Sequence, residues 1–236
     1  MDNFNAPQPV VPVIALDAES RGTFIAKTYA HVFGAILLFA GIEAMLFASG
    51  LAESITNALG GSWLIVLGAF VLVSWFATRT AHTARSLASQ YIALFGYVVV
   101  WALIFVPILY IAEAQAVARG SGNVITSAAI STLVGFAGLT LIAFGTRKDF
   151  SFLRGILMWV GVSAILLILS SIIFGFSLGA WFSVAMIIFA GAAILYDTSK
   201  IIHHYPQDRY VGAALELFGS VAMMFWYVLR LFMSRD

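Results

Sequence analysis

Residues Gly191–Leu231 read GAAILYDTSKIIHHYPQDRYVGAALELFGSVAMMFWYVLRL, two apolar runs facing each other across a short polar turn. Each run carries one carboxylate, Asp197 in the first and Glu216 in the second. Pro206 has no backbone N–H and cannot continue a helix, so the first run is expected to stop near Tyr205. Asp197 lies nine residues before that proline and Glu216 ten after it. In an antiparallel helical hairpin those offsets set both carboxylates at similar depth, roughly 10 Å inside the turn at about 1.5 Å per residue. An acid at that depth in a bilayer costs on the order of 2–3 kcal/mol, and such a cost calls for a physical reason.

Composition places the hairpin in a membrane. Of 236 residues, 62% are hydrophobic and 10% charged, where a soluble domain carries about a quarter charged. Seven spans are expected: Tyr29–Ala48, Trp63–Ala77, Tyr91–Tyr110, Val124–Phe144, Ile156–Phe174, Leu178–Tyr196 and Val211–Phe232. Trp63, Tyr91, Tyr110, Trp181 and Tyr210 stand at span edges, as an interfacial aromatic belt would have it. Pro107 is a candidate kink in the third span. The glycines inside spans (34, 41, 68, 96, 135, 138, 161, 191 and 219) read mostly as small-residue helix packing. Residues 1–20, with three prolines, Asp17 and Glu19 and no apolar core, read as a mobile tail rather than a signal peptide, ahead of a membrane domain over 21–236.

With an inside N-terminus, nine of the twelve Lys and Arg residues fall in inner segments. They are Arg21, Lys27, Arg79, Arg85, Arg147, Lys148, Arg154, Lys200 and Arg209; Arg119, Arg230 and Arg235 fall outside. That bias predicts a cytoplasmic N-terminus and an outer C-terminus, with the two acids near the cytoplasmic leaflet. A net charge of +1 gives no basic footprint for nucleic acid. The absence of cysteine excludes disulfides, thiolate catalysis and Cys-based metal sites.

The acids have bland readings beside the functional one. Lys200, three residues after Asp197, is a helical neighbour able to neutralise it. Against that, a carboxylate towards a helix C-terminus opposes the macrodipole. Glu216 can be a satisfied contact to another helix or to the turn. As a pair, the acids would form a proton switch, sharing a proton at low pH and repelling when both ionise. Arg79 and Arg85 lie on the correct side to stabilise the ionised form. Glu43 reads as facing the outer interface, His203 and His204 as solvated turn residues able to modulate the hairpin, and His31 and His82 as lone interfacial residues. Tyr196-Asp197 resembles the motif of intramembrane aspartyl proteases, but the next span has no second aspartate in a glycine-flanked motif, so no enzyme is expected.

Four stretches are similar to the Bax inhibitor family: TYAHVFGAILLFAGIEAMLF, TRKDFSFLRGILMWVGV, ILYDTSKIIH and AALELFGSVAMMFWYVLRLF. The resemblance implies an all-α membrane protein, a seven-transmembrane-helix bundle with the seventh helix central. It implies a bacterial inner-membrane protein that is a pH-sensitive Ca²⁺ leak or, alternatively, a modulator of a membrane-anchored AAA+ protease. The family's gate is an aspartate on the sixth helix, one on the seventh and an arginine from the second. Asp197 matches the first and Arg79 is the nearest candidate for the arginine, while Ser220 stands where the second aspartate belongs. Glu216, one turn before Ser220 on the same face, is positioned to supply the missing carboxylate. No cofactor is expected beyond Ca²⁺ as the permeant ion, held transiently by Asp197 and Glu216.

Overall fold

The computed structural model describes residues 11–60, 63–83, 86–120 and 122–235. It is all-helical in its regular structure: α1 Ala18–Ala48, α2 Leu51–Gly60, α3 Trp63–Thr83, α4 Leu87–Arg119, α5 Val124–Thr146, α6 Leu153–Phe174, α7 Gly179–His203 and α8 Tyr210–Arg235. Six of these, α1 and α4 to α8, are long and apolar enough to cross a membrane among the described residues. Helix α3 falls where the second span is expected. Its ten-residue predecessor α2 was not expected as a helix. LAESITNALG is too short and too polar to read as a span, and it folds because Ala52 packs under Leu46 and Val106.

Helix ends differ from the hydropathy edges for local reasons. Helix α1 begins eleven residues before Tyr29 because the Asp17 side chain accepts from the N–H groups of Glu19 and Ser20, satisfying donors at a helix start. Helix α4 continues past Tyr110 through the helix-forming run IAEAQAVAR to Arg119 and is closed by Gly120 at φ 60°. It runs through Pro107, which is buried. Helix α7 stops at His203, two residues before the point read from Pro206.

Within the stretch read as a tail, residues 11–16 pack on the α7–α8 turn. Val13 is fully buried and its N–H donates to the Tyr205 carbonyl at 2.9 Å. The Gln207 N–H donates to the Val11 carbonyl, so this segment straps the α7–α8 turn. Residues 1–10 lie outside the described residues, as do the Arg85 and His82 side chains.

Burial is sharply graded. In α8, 78% of the apolar window lies inside the protein, against 6% for α6. Helix α8 packs against α1, α3, α4, α5 and α7. Its Leu215, Leu217, Phe218 and Leu229 are fully or almost fully buried, whereas Trp181 on α7 is 86% exposed, as its belt position predicts. An aromatic nest joins three helices: Phe105 of α4 stacks on Phe225 at 5.2 Å and meets Trp226 and Phe39 edge-on at 5.1 and 5.0 Å. Such pairs add roughly 0.5–1.5 kcal/mol each beyond their buried area.

Small-residue packing holds at fewer glycines than expected. A side chain at Gly34, Gly41, Gly68, Gly96 or Gly138 would meet open space, while Gly135, Gly161 and Gly191 touch neighbours at ordinary distance. Gly219 is the tight one. A Cβ there would lie 2.6 Å from the Tyr97 hydroxyl of α4. Gly219→Ala is expected to lower stability by about 1–3 kcal/mol through overpacking. Tyr97→Phe added to it should recover part of that loss in a thermal unfolding assay in detergent; an unchanged midpoint for Gly219→Ala would contradict the close approach.

Candidate functional site

The α7–α8 hairpin brings the sequence-predicted acids into one polar cluster, but not as a simple carboxyl pair. Asp197 and Ser220 are both 8% exposed, and the Ser220 hydroxyl donates to Asp197 Oδ2 at 2.6 Å. Ser220, which the resemblance implies stands where a second aspartate belongs, is thus a hydrogen-bond donor to Asp197. Glu216 instead takes Lys200: Nζ donates to Oε2 at 2.7 Å, with side-chain exposures of 19% and 11%. Lys200 therefore reaches across to α8 rather than staying with its own-helix neighbour, although Asp197 remains within its electrostatic reach. Charge-assisted bonds of this length are the strong class.

Aromatic walls surround the cluster. The Lys200 ammonium lies 5.2 Å from the Tyr205 ring centre and 5.4 Å from that of Tyr196, both within cation–π range. Burial pushes the Tyr205 phenol well above its ordinary value, and the Glu216 charge beside it acts the same way, so Tyr205 stays neutral. Tyr97, fully packed between α4 and α8, adds a second phenol near both acids. Tyr29 of α1 shares a hydrogen bond with Thr198 at 3.3 Å, next to Asp197. Arg79, at the end of α3, is exposed, and its guanidinium lies 5.2 Å over the Trp75 ring.

Several positions here were unreadable from sequence. Gln90, 2% exposed at the start of α4, clamps the turn: Nε2 donates to the Asp208 carbonyl and Oε1 accepts from the Gly212 N–H. A buried amide among apolar neighbours was the available signal. The α5–α6 loop docks on the end of α7, where the Phe150 N–H donates to Ser199 Oγ at 2.9 Å and Asp149 Oδ2 meets His204 Nε2 at 2.9 Å. His203 Nδ1–H donates to the Ser199 carbonyl. The turn histidines are thus bonded rather than simply solvated. His31 is not alone either. Its Nδ1–H donates to the Lys27 carbonyl, leaving Nε2 to accept from the Tyr91 hydroxyl at 2.8 Å while the ring packs on Tyr210. Glu43 is corrected most: it is 7% exposed and faces inward.

The described residues hold no cluster of three or more His, Cys, Asp or Glu able to hold a metal ion. With Glu216 engaged by Lys200, Asp197 and Glu216 supply few oxygens towards the six to eight that Ca²⁺ takes at a resident site.

A multi-span helical membrane protein with an ionic cluster buried between its last two helices is the class that fold and site define. The family model described as "Inhibitor of apoptosis-promoting Bax1" matches residues 21–236, and the chain belongs to this Bax inhibitor family. It is similar to the uncharacterized protein PA2604 of Pseudomonas aeruginosa, 38% identical over 47% of this chain and 50% of that one. Protein LIFEGUARD 2 of Arabidopsis thaliana is 28% identical over 98% of this chain and 96% of its own. The modulator of FtsH protease YccA of Escherichia coli K12 is 29% identical over 92% and 90%.

Asp149 lies outside the spans. The Ser151 backbone N–H and then His204 hold its carboxyl below the ordinary value of 3.8. A depressed folded-state value gives stability that is present above pH 3.8 and lost as pH falls below it. Asp149→Asn is expected to cost less than about 1 kcal/mol near neutral pH, the range of exposed pairs. Its deficit relative to wild type should close below about pH 4 in thermal unfolding; a deficit unchanged at pH 3 would contradict this.

Proposed function

We propose that this protein is a pH-sensitive cation leak, permeable to Ca²⁺, of the bacterial inner membrane. Seven spans form the bundle, with α3 as the second and α8 as the central seventh. The N-terminus is cytoplasmic and the C-terminus outside. The observation that carries the reading is the ionic cluster buried between α7 and α8, a placement that stability alone does not call for. The reading is supported by the depth of α8 in the protein and by family membership.

In the closed state Ser220 caps Asp197 and Lys200 holds Glu216, so neither carboxylate faces an open path. Deprotonation of the site raises acid–acid repulsion and favours opening; protonation removes it. Arg79 at the end of α3 serves as an ionic latch. No resident cofactor and no chemical step enter this scheme. A second reading is favoured by one specific observation, the YccA relative named as a modulator of FtsH protease and aligned over 92% of this chain. In that reading the protein binds and restrains a membrane-anchored AAA+ protease, and the strap over residues 11–16 or the docked 147–154 loop presents the contact.

The test is Ca²⁺ flux into liposomes carrying the purified protein at pH 6 and pH 8. Flux is expected to be larger at pH 8, to become low and pH-independent in Asp197→Asn, and to depend more steeply on pH in Ser220→Asp, which restores a second aspartate. Flux equal to that of empty vesicles at both pH values overturns the leak. Co-purification with the protease, lost on deleting residues 2–20, would then support the binding reading.

A further inference from the structure

Glu43 takes no part in the α7–α8 cluster, yet it is a buried acid. It lies 14 residues after Tyr29 on α1, about 21 Å along the helix axis towards the other end of the bundle. Its side chain lines a cavity of about 270 Å³ whose walls are Phe39, Leu109, Ile125, Phe218 and Val221, with Thr132 as the other polar residue. The Thr132 hydroxyl is already given to the Ala128 carbonyl at 2.8 Å. Among the described residues, neither carboxylate oxygen of Glu43 has a hydrogen-bond partner. An unpaired buried carboxyl carries a substantial desolvation cost in either protonation state, since the acid form also leaves its proton unshared.

The cavity is reached from the side. The backbones of α1 and α5 do not pack on each other. Their gap is bridged by Tyr29, whose ring meets Phe136 at 6.2 Å and Phe144 at 5.7 Å, towards the α7–α8 turn. Nearer Glu43 the cavity wall includes Ala40 and Leu133, both exposed on the outer face. Leu37, Ile130 and Val134 make that face apolar. A ligand would therefore enter from the hydrocarbon, not from water.

Charge and wall chemistry select the ligand class. One carboxylate and one hydroxyl oxygen, that of Thr132, fall far short of the six to eight oxygens Ca²⁺ takes. A purely apolar ligand would leave the carboxyl unpaired. An alkylammonium satisfies both: its head brings one positive charge and N–H donors to Glu43, and its chain covers the apolar walls and continues through the side opening into lipid. We propose that the α1–α5 crevice is a binding site for membrane-dissolved alkylamines, with Glu43 as the counter-ion. The site stands whether or not the bundle conducts.

The probe is dodecylamine, titrated at pH 7 into the full chain in phosphatidylcholine nanodiscs, with dodecanol as the uncharged control and empty nanodiscs as background. Binding is read from the unfolding midpoint and tryptophan fluorescence. Dodecylamine is expected to raise the midpoint saturably, with an affinity at least about tenfold above that of dodecanol, the worth of one charge-assisted bond. Glu43→Gln should abolish that preference. Ala129→Leu, which fills the cavity and keeps the acid, should weaken both ligands. Adding phosphatidylethanolamine to the discs distinguishes the source of the amine: competition assigns the site to a lipid headgroup, and no competition assigns it to a free amine. Equal affinities for dodecylamine and dodecanol, or an undiminished preference in Glu43→Gln, overturn the proposal.

Discussion

Lys200 and Glu216 meet at 2.7 Å across the α7–α8 interface, in a region where neither charge can be left alone. Lysine reaches from the end of α7, its ammonium 5.4 Å and 5.2 Å from the Tyr196 and Tyr205 ring centres, and lands on the one acid that the buried helix α8 carries between Val211 and Val228. The pair fixes the register of the two helices and, with it, the place of everything else near the turn. Ser220 is one turn beyond Glu216, so it meets Asp197, which is one turn before Lys200. The two contacts form a ladder that a slip of one residue would break at both rungs.

Around that ladder the chain builds closure from pieces remote in sequence. Val13 enters from the N-terminal strap, Gln90 from the start of α4, and Asp149 and Phe150 from the α5–α6 loop; all converge on residues 199–212. The middle of the bundle is held differently, by the aromatic nest of Phe39, Phe105, Phe225 and Trp226. The turn region is thus polar and hydrogen-bonded, the nest apolar and shape-packed.

Sequence alone made much of this legible, for a physical reason. The all-helical, multi-span character and the α7–α8 hairpin follow from hydropathy, because the bilayer imposes length and apolarity on every crossing. Seven spans were expected, whereas six described helices are long and apolar enough to cross. Helix ends were less legible: Asp17 capping and the helix-forming run after Tyr110 extend α1 and α4 where hydropathy falls away. Asp197 and Glu216 were found because a charge in an apolar run is conspicuous. Their partners were not, since whether Lys200 turns to its own helix or its neighbour is decided by rotamer and packing. Glu43 is the instructive miss. Its position near the end of α1 suggested the interface, and only the packing of α1 against α4 and α8 turns it inward.

The claim that the Lys200–Glu216 bridge is a coupled pair, and not two independent contacts, is tested most directly by a double-mutant cycle on stability. Lys200→Met and Glu216→Gln would be compared singly and together by thermal unfolding of the purified protein in detergent. Each single substitution should lower stability by removing one charge of a largely buried pair. The double substitution should cost clearly less than the two summed, a coupling in the range of 0.5–3 kcal/mol. Additive losses would mean that the two side chains are held by other neighbours, and the ladder would not be what sets the hairpin.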